Sequence, residues 1–184
     1  MYRVEVIIGS LRKESFNRKL AMALDKLDHP QLQFVFTKVD DIPLYNQDLD
    51  NNLPDSVVRL KKAVSSADGI LFVTPEYNRS IPGVLKNIVD WGTRPYGQNS
   101  WFGKPTGIVG TSQSSVGTAV AQAHLRSVMV PLGSIFLGHP EVYLVYKEGL
   151  IDAEGRITVE NTQKFLQNFL DQFSKGFLQY NPDK

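Results

Sequence analysis

The chain has 184 residues, 42% of them hydrophobic and 21% charged, the balance of an ordinary globular chain with enough apolar material for a sizeable core. A formal net charge of +1 argues against nucleic acid as the main partner, and zero cysteines exclude disulfides, thiolate nucleophiles and cysteine-ligated metals. No apolar run approaches the ~20 residues of a membrane span, and Met1 leads into a strand pattern rather than a secretion signal, so a cytoplasmic, single-domain protein over residues 1–184 is expected.

In chain order, residues 4–8 form an apolar, β-branched run closed by Gly9, which predicts a buried strand. Ser10, Arg12, Ser15 and Asn17 then crowd into a polar loop. Phe16, Leu20, Leu24 and Leu27 follow at the spacing of one apolar helix stripe. A strand, polar loop and helix in that order offer an anion the positive end of a helix dipole, with hydroxyls, an amide and a guanidinium around it. Neither G-x-x-x-x-G-K-[ST] nor G-x-G-x-x-G is present, so a single terminal phosphate suits the loop better than a nucleoside triphosphate or a dinucleotide. The plainer alternative makes Ser15 a helix cap and Arg12 a solvated charge.

Residues 32–36 predict a second strand, and residues 38–55, rich in Asp, Asn and Pro, a long loop. A helix opens at Pro54 and Asp55, with Val57, Leu60, Val64 and Ala67 on one face. The continuous apolar run Gly69–Val73 reads as a central parallel strand. A second polar cluster follows it, Thr74-Pro75-Glu76-Tyr77-Asn78-Arg79-Ser80, and Pro82 is expected at the first position of the next helix, with Ile81, Leu85 and Ile88 inward.

Residues 92–104 form a Gly-rich, aromatic loop, residues 105–110 a fourth strand, and residues 111–117 a loop of small residues in which Ser112 and Gly117 let backbone approach a flat ligand. A helix is expected over 119–128, then an edge strand at 134–136 or 142–145, then a closing helix over 162–178. Its Phe165, Phe169, Phe173 and Phe177 form a stripe read as core. His29, His124 and His139 make no His-x-x-x-His pair and are read as structural or surface residues. The alternation predicts an α/β three-layer sandwich around a five-stranded parallel sheet in the flavodoxin-like order 2-1-3-4-5. In such a sheet, loops at the carboxyl ends of strands one and three meet over a ligand.

Gly9-Ser10-Leu11-Arg12-Lys13-Glu14-Ser15-Phe16-Asn17 resembles the phosphate loop of the NAD(P)H-dependent FMN reductases. Pro75-Glu76-Tyr77-Asn78, continued by Ser80-Ile81-Pro82-Gly83 and Leu85-Lys86-Asn87, resembles a second block of the same family. Asp41-Ile42-Pro43-Leu44-Tyr45 and His124-Leu125-Arg126 are similar to members that reduce quinones, azo dyes or metal oxyanions such as chromate. The resemblance implies that Ser10, Arg12, Ser15 and Asn17, with Phe16 beside them, hold the FMN phosphate. It also implies that Pro75, Glu76, Tyr77 and Asn78 line the isoalloxazine and ribityl chain, with Ser112 and the loop to Gly117 opposite.

Thr118 stands where several relatives have a second glycine, a departure from the family pattern that bears on the width of the pocket near the ring. The resemblance further implies a ping-pong cycle in which NADPH or NADH reduces the flavin and a small-molecule electron acceptor takes its place, with no side chain needed as acid or base. It implies a homodimer or homotetramer, for which residues 128–137 and the loop around Trp101 are candidate contacts. Two rivals share the fold: a flavodoxin-type electron carrier, generally a strongly acidic protein, and a non-redox binder of another phosphorylated small molecule.

Overall fold

The computed structural model describes residues 1–137 and 139–180. Strands β1 (Tyr2–Ile8), β2 (Leu32–Phe36), β3 (Gly69–Val73) and β4 (Pro105–Ser112) are joined by helices α1 (Phe16–Asp25), α2 (Asp55–Ser66) and α3 (Gly83–Gly92). Helix α4 (Ala119–Met129), the short strands β5 (Ile135–Phe136) and β6 (Val142–Val145), and α5 (Glu160–Tyr180) complete the chain. All pairings in the sheet are parallel, in the order β2-β1-β3-β4-β5, as the alternation of elements predicted.

The fifth position holds two strands. Both edge candidates form, end to end on β4: Pro105 and Thr106 pair with β5, while Val109 to Ser112 pair with β6. Pro140, which has no N–H to give a ladder, lies in the break between them.

Strand β3 is buried along its whole length, consistent with its lack of polar alternation. Helices α1 and α5 bury their stripes on one face of the sheet, and α2, α3 and α4 on the other. The chain therefore leaves β1 toward one face and β3 toward the opposite face. That change of side opens a crevice above the carboxyl ends of these two neighbouring strands.

The aromatic stripe of α5 is only partly core. Phe169, Phe173 and Phe177 are buried, whereas Phe165 is 36% exposed, and Leu166 and Leu170 fill the interior beside them. Strict i, i+4 spacing drifts around a helix of 3.6 residues per turn, so its first member rotates toward solvent. Phe177 packs so tightly on Gly69 that a Cβ there would lie 2.5 Å from the ring.

Three other expectations shift. Pro82 is the residue before α3 and not its first member, with an extended ψ of 147°. Trp101, a candidate contact between subunits, is fully buried, donates its Nε1–H to the Val89 carbonyl at 3.0 Å, and belongs to the core. The long loop over 38–55 contains a 3-10 turn, Gln47–Leu49, and is pinned to α3. There Asn87 donates to the Pro43 carbonyl and accepts from the Tyr45 N–H, each at 2.8 Å, and the Trp91 Nε1–H joins the same carbonyl at 2.7 Å.

Candidate active site

The carboxyl ends of β1, β3 and β4 are laced together one residue beyond the strands. Gly9 N–H donates to Val73 O at 2.9 Å and Thr74 N–H to Val109 O at 3.0 Å. The three polar loops seen in the sequence therefore rise from one platform.

In the first loop Ser15 caps α1, its Oγ accepting the Arg18 N–H at 3.2 Å. The N–H groups of Phe16 and Asn17 remain without an acceptor among the described residues, and the first turn of α1 carries no acidic side chain. Ser10 is buried, while Arg12, Lys13 and Arg18 surround the helix end without a carboxylate partner among the described residues. Arg12 is held in place all the same. Its guanidinium lies 4.7 Å over the Phe16 ring, which in turn stacks on Tyr146 at 4.0 Å. Phe16 is thus a half-buried support for the loop and not part of the inward stripe formed by Leu20 and Leu24.

Asn17 has a structural task in addition. Its Nδ2–H donates to Thr111 O at 2.9 Å and its Oδ1 accepts Thr111 N–H at 3.0 Å, imitating a strand partner at the end of β4. One amide hydrogen and its own backbone N–H are left for a ligand. Asn17→Leu should strand two buried polar groups and destabilise the fold by on the order of 3 kcal/mol, read as a lower urea midpoint. An unchanged midpoint would show that water replaces the amide at no loss.

The second loop, residues 75–80, folds back as a two-residue turn. Tyr77 and Ser80 exchange both backbone hydrogen bonds, at 2.9 and 3.0 Å, and the residues between them are left-handed, Asn78 at φ 50° and Arg79 at φ 62°. Asparagine is at home there, but glycine is the usual second residue, so Arg79 holds local strain of about 1 kcal/mol. Tyr77 stands half exposed on the rim of the crevice.

The third loop is shaped by its own side chains. Ser112 Oγ donates to Gly117 O at 2.5 Å and accepts Ser114 N–H at 3.2 Å. Gly117 is left-handed, φ 62°, and a Cβ there would meet the Tyr143 backbone at 3.0 Å. Burial, with Glu141 hydrogen-bonded beside it, pushes the Tyr143 phenol above its ordinary value, so the group is a neutral hydroxyl. Thr118 does not narrow the slot. Its side chain is fully buried and turned inward, where Oγ1 accepts from Gln122 Nε2 at 2.9 Å.

One contact has no counterpart in the sequence patterns. Glu76, whose side chain is 9% exposed, accepts the N–H groups of Val120 and Ala121 through Oε2, at 3.0 and 3.1 Å. It caps α4 from a loop 44 residues away, and its Oε1 faces Arg79 at 3.4 Å. The resemblance implied a place beside the ring for Glu76; the structure adds a cap on α4, not on the helix that follows its own loop.

A cavity of about 770 Å³ lies on the outer flank of α1, toward residues 146–155. Ser15, Phe16 and Gln113 line it and none of residues 75–78 does, so it borders the phosphate-loop side of the crevice, meets the third loop at Gln113 and does not reach the second.

A family model described as NADPH-dependent FMN reductase matches residues 2–149. Similar proteins include a 2-hydroxy-1,4-benzoquinone reductase from a Burkholderia species, 47% identical over 94% of both chains. A quinone reductase from Pseudomonas putida is 42% identical over 95% of this chain and 94% of its own. Among solved structures, FerB, a flavoenzyme NAD(P)H:(acceptor) oxidoreductase from Paracoccus denitrificans, aligns with a TM-score of 0.94 at 44% identity, covering 98% of this chain and 99% of its own. These similarities extend over the three laced loops and the sheet beneath them, and the chain belongs to the NADPH-dependent FMN reductase family.

Proposed function

We propose that the chain performs its family's NAD(P)H- and FMN-dependent oxidoreduction in the crevice above β1, β3 and β4, with quinones as a principal class of acceptor. The observation that carries this reading is the open N-terminus of α1, where the N–H groups of Phe16 and Asn17 and the cations of Arg12, Lys13 and Arg18 have no carboxylate partner among the described residues. That donor set fits a phosphate dianion. Ser10, Arg12, Ser15 and Asn17 hold it, with Phe16 supporting Arg12 from below. Pro75, Tyr77 and Asn78 bound one side of the ring slot, and the loop from Ser112 to Gly117 bounds the other.

Bound FMN supplies the chemistry, accepting a hydride from NADPH or NADH and passing electrons on to the acceptor. The chain's part is to fix the ring and leave one face open, with the Tyr77 rim as the surface against which donor and acceptor are placed in turn. Azo dyes and metal oxyanions are further acceptors that such an open face admits. The net charge of +1 favours this reading over a strongly acidic electron carrier. Self-association as a homodimer or homotetramer is supported by exposed apolar side chains at Phe102 and Val130, 75% and 59% exposed, in or beside the segments singled out from the sequence. A cytoplasmic location is consistent with the absence of cysteine.

Arg12→Ala tests the phosphate assignment. A charged hydrogen bond to phosphate contributes about 1.5–3 kcal/mol, so FMN affinity should fall roughly ten- to a hundredfold while the far-UV spectrum is unchanged. Flavin absorbance and fluorescence titration read the result. Undiminished affinity would move the phosphate elsewhere.

A further inference from the structure

We propose that Glu76 is a positioning residue that sets the width of the ring slot by tying the second loop to the helix that follows the third, and that it does so without touching the cofactor. The inference rests on the FMN reading above. Helix α4 lacks a cap of its own: Thr118, at the capping position, makes no capping bond because its hydroxyl is turned inward to Gln122. A helix end buried against a neighbouring loop needs acceptors for its first N–H groups.

Glu76 supplies them. One oxygen takes both the Val120 and the Ala121 N–H, and the carboxylate also offsets the positive end of the α4 dipole. With Oε2 committed to two donors and Oε1 facing Arg79, both carboxylate oxygens are engaged within the protein, and the side chain is only 9% exposed. A second tie lies one turn along α4, where the His124 ring Nδ1 and Ser80 Oγ are 3.1 Å apart. Residue 76, just before the strained turn, and residue 80, at its end, are therefore both tied to α4.

The turn between those staples carries the ring-lining residues. Asn78 and Arg79 are both left-handed, a conformation that persists only where its surroundings impose it. Arg79 has its ion pair with Glu76 as a local reason to stay there. Release of the cap lets the turn relax and the slot widen, and a displacement of ~1 Å at a hydride-transfer site can reduce turnover by about a hundredfold.

The experiment is steady-state kinetics of purified variants with NADPH and benzoquinone at saturating FMN, with amide hydrogen exchange at residues 120 and 121. Glu76→Ala is expected to lose about a hundredfold in kcat with little change in KM, and to exchange those amides faster. Glu76→Gln, whose amide oxygen can accept both N–H groups, should stay within about threefold of wild type. Glu76→Asp keeps the charge but withdraws the carboxylate by one methylene and should lose at least tenfold, which tests the idea even if the alanine variant does not fold.

Wild-type kcat in Glu76→Ala or Glu76→Asp would overturn the inference. So would a loss in Glu76→Gln as large as that in Glu76→Ala, since the charge and not the cap would then be what matters. A wild-type protein that takes up no FMN would instead defeat the reading on which the inference rests.

Discussion

Tyr77→Ala, saturated with FMN, is expected to turn over about a hundredfold more slowly than the wild-type protein, whereas Arg12→Ala at the same FMN concentration recovers the wild-type rate. The two residues rise from different loops, Arg12 from the one after β1 and Tyr77 from the one after β3. Arg12 lies over Phe16 at the start of α1 and, on the proposed assignment, serves retention alone, so excess cofactor compensates for its loss. Tyr77 is half exposed above the end of β3, and its backbone is fixed by both hydrogen bonds to Ser80. Removing its side chain therefore leaves the turn intact and changes the surface presented to nicotinamide and acceptor, where small errors of approach weigh heavily on rate. Equal recovery of both variants would make Tyr77 a plain wall of the pocket.

Gly110→Ala should give a large loss of stability. The new methyl carbon would lie 2.1 Å from Thr118 Oγ1 and 2.3 Å from the Thr74 carbonyl oxygen, the latter a backbone atom that cannot turn aside. Relief requires β4 to move away from the end of β3, or α4 to be displaced with Thr118. Overpacking of this kind costs on the order of 3 kcal/mol, a fall in Tm of about 10 °C for a chain of this size. Because Thr74 and Thr118 border the second and third loops, flavin content should fall with it. Gly83→Ala is the control: a Cβ there meets nothing within 4 Å, and the variant should match or slightly exceed wild-type stability. A Gly110→Ala protein with wild-type Tm would mean that the contact relaxes without moving the strands.

The strands and the order of the sheet were legible because their signals are local. The run Gly69–Val73 is apolar at every position, and the periodicities of α1 and α2 fall within single windows. Adjacency of the three loops followed from the same pattern through the topology of parallel sheets. What escaped are contacts between residues far apart in the chain. Nothing near Glu76 indicates that it caps a helix 44 residues on, and Thr118, a conventional capping residue in the expected place, points to the wrong partner. Asn17 read as a ligand donor because its type and place suit one, while its bonds to Thr111 span 94 residues. Trp101 and Phe102 are neighbours of like character, and only packing tells the core residue from the exposed one. The double occupancy of the fifth strand position was missed for another reason. Both short runs looked like edge strands, and they are, since β4, with eight residues, is long enough to accept both in tandem.

That tandem edge affects how the protein behaves in company. A single long strand at the margin of a sheet presents an unbroken row of amide and carbonyl groups on which a partly unfolded neighbour can add itself. Here the margin beside β4 is two residues of β5, an interruption at Pro140, and four residues of β6. Neither piece is long enough to template a stable ladder, and a chain that spanned both would meet a position with no N–H to offer. Divided in this way, the border resists uncontrolled growth from sheet to sheet at the concentrations of a crowded cell.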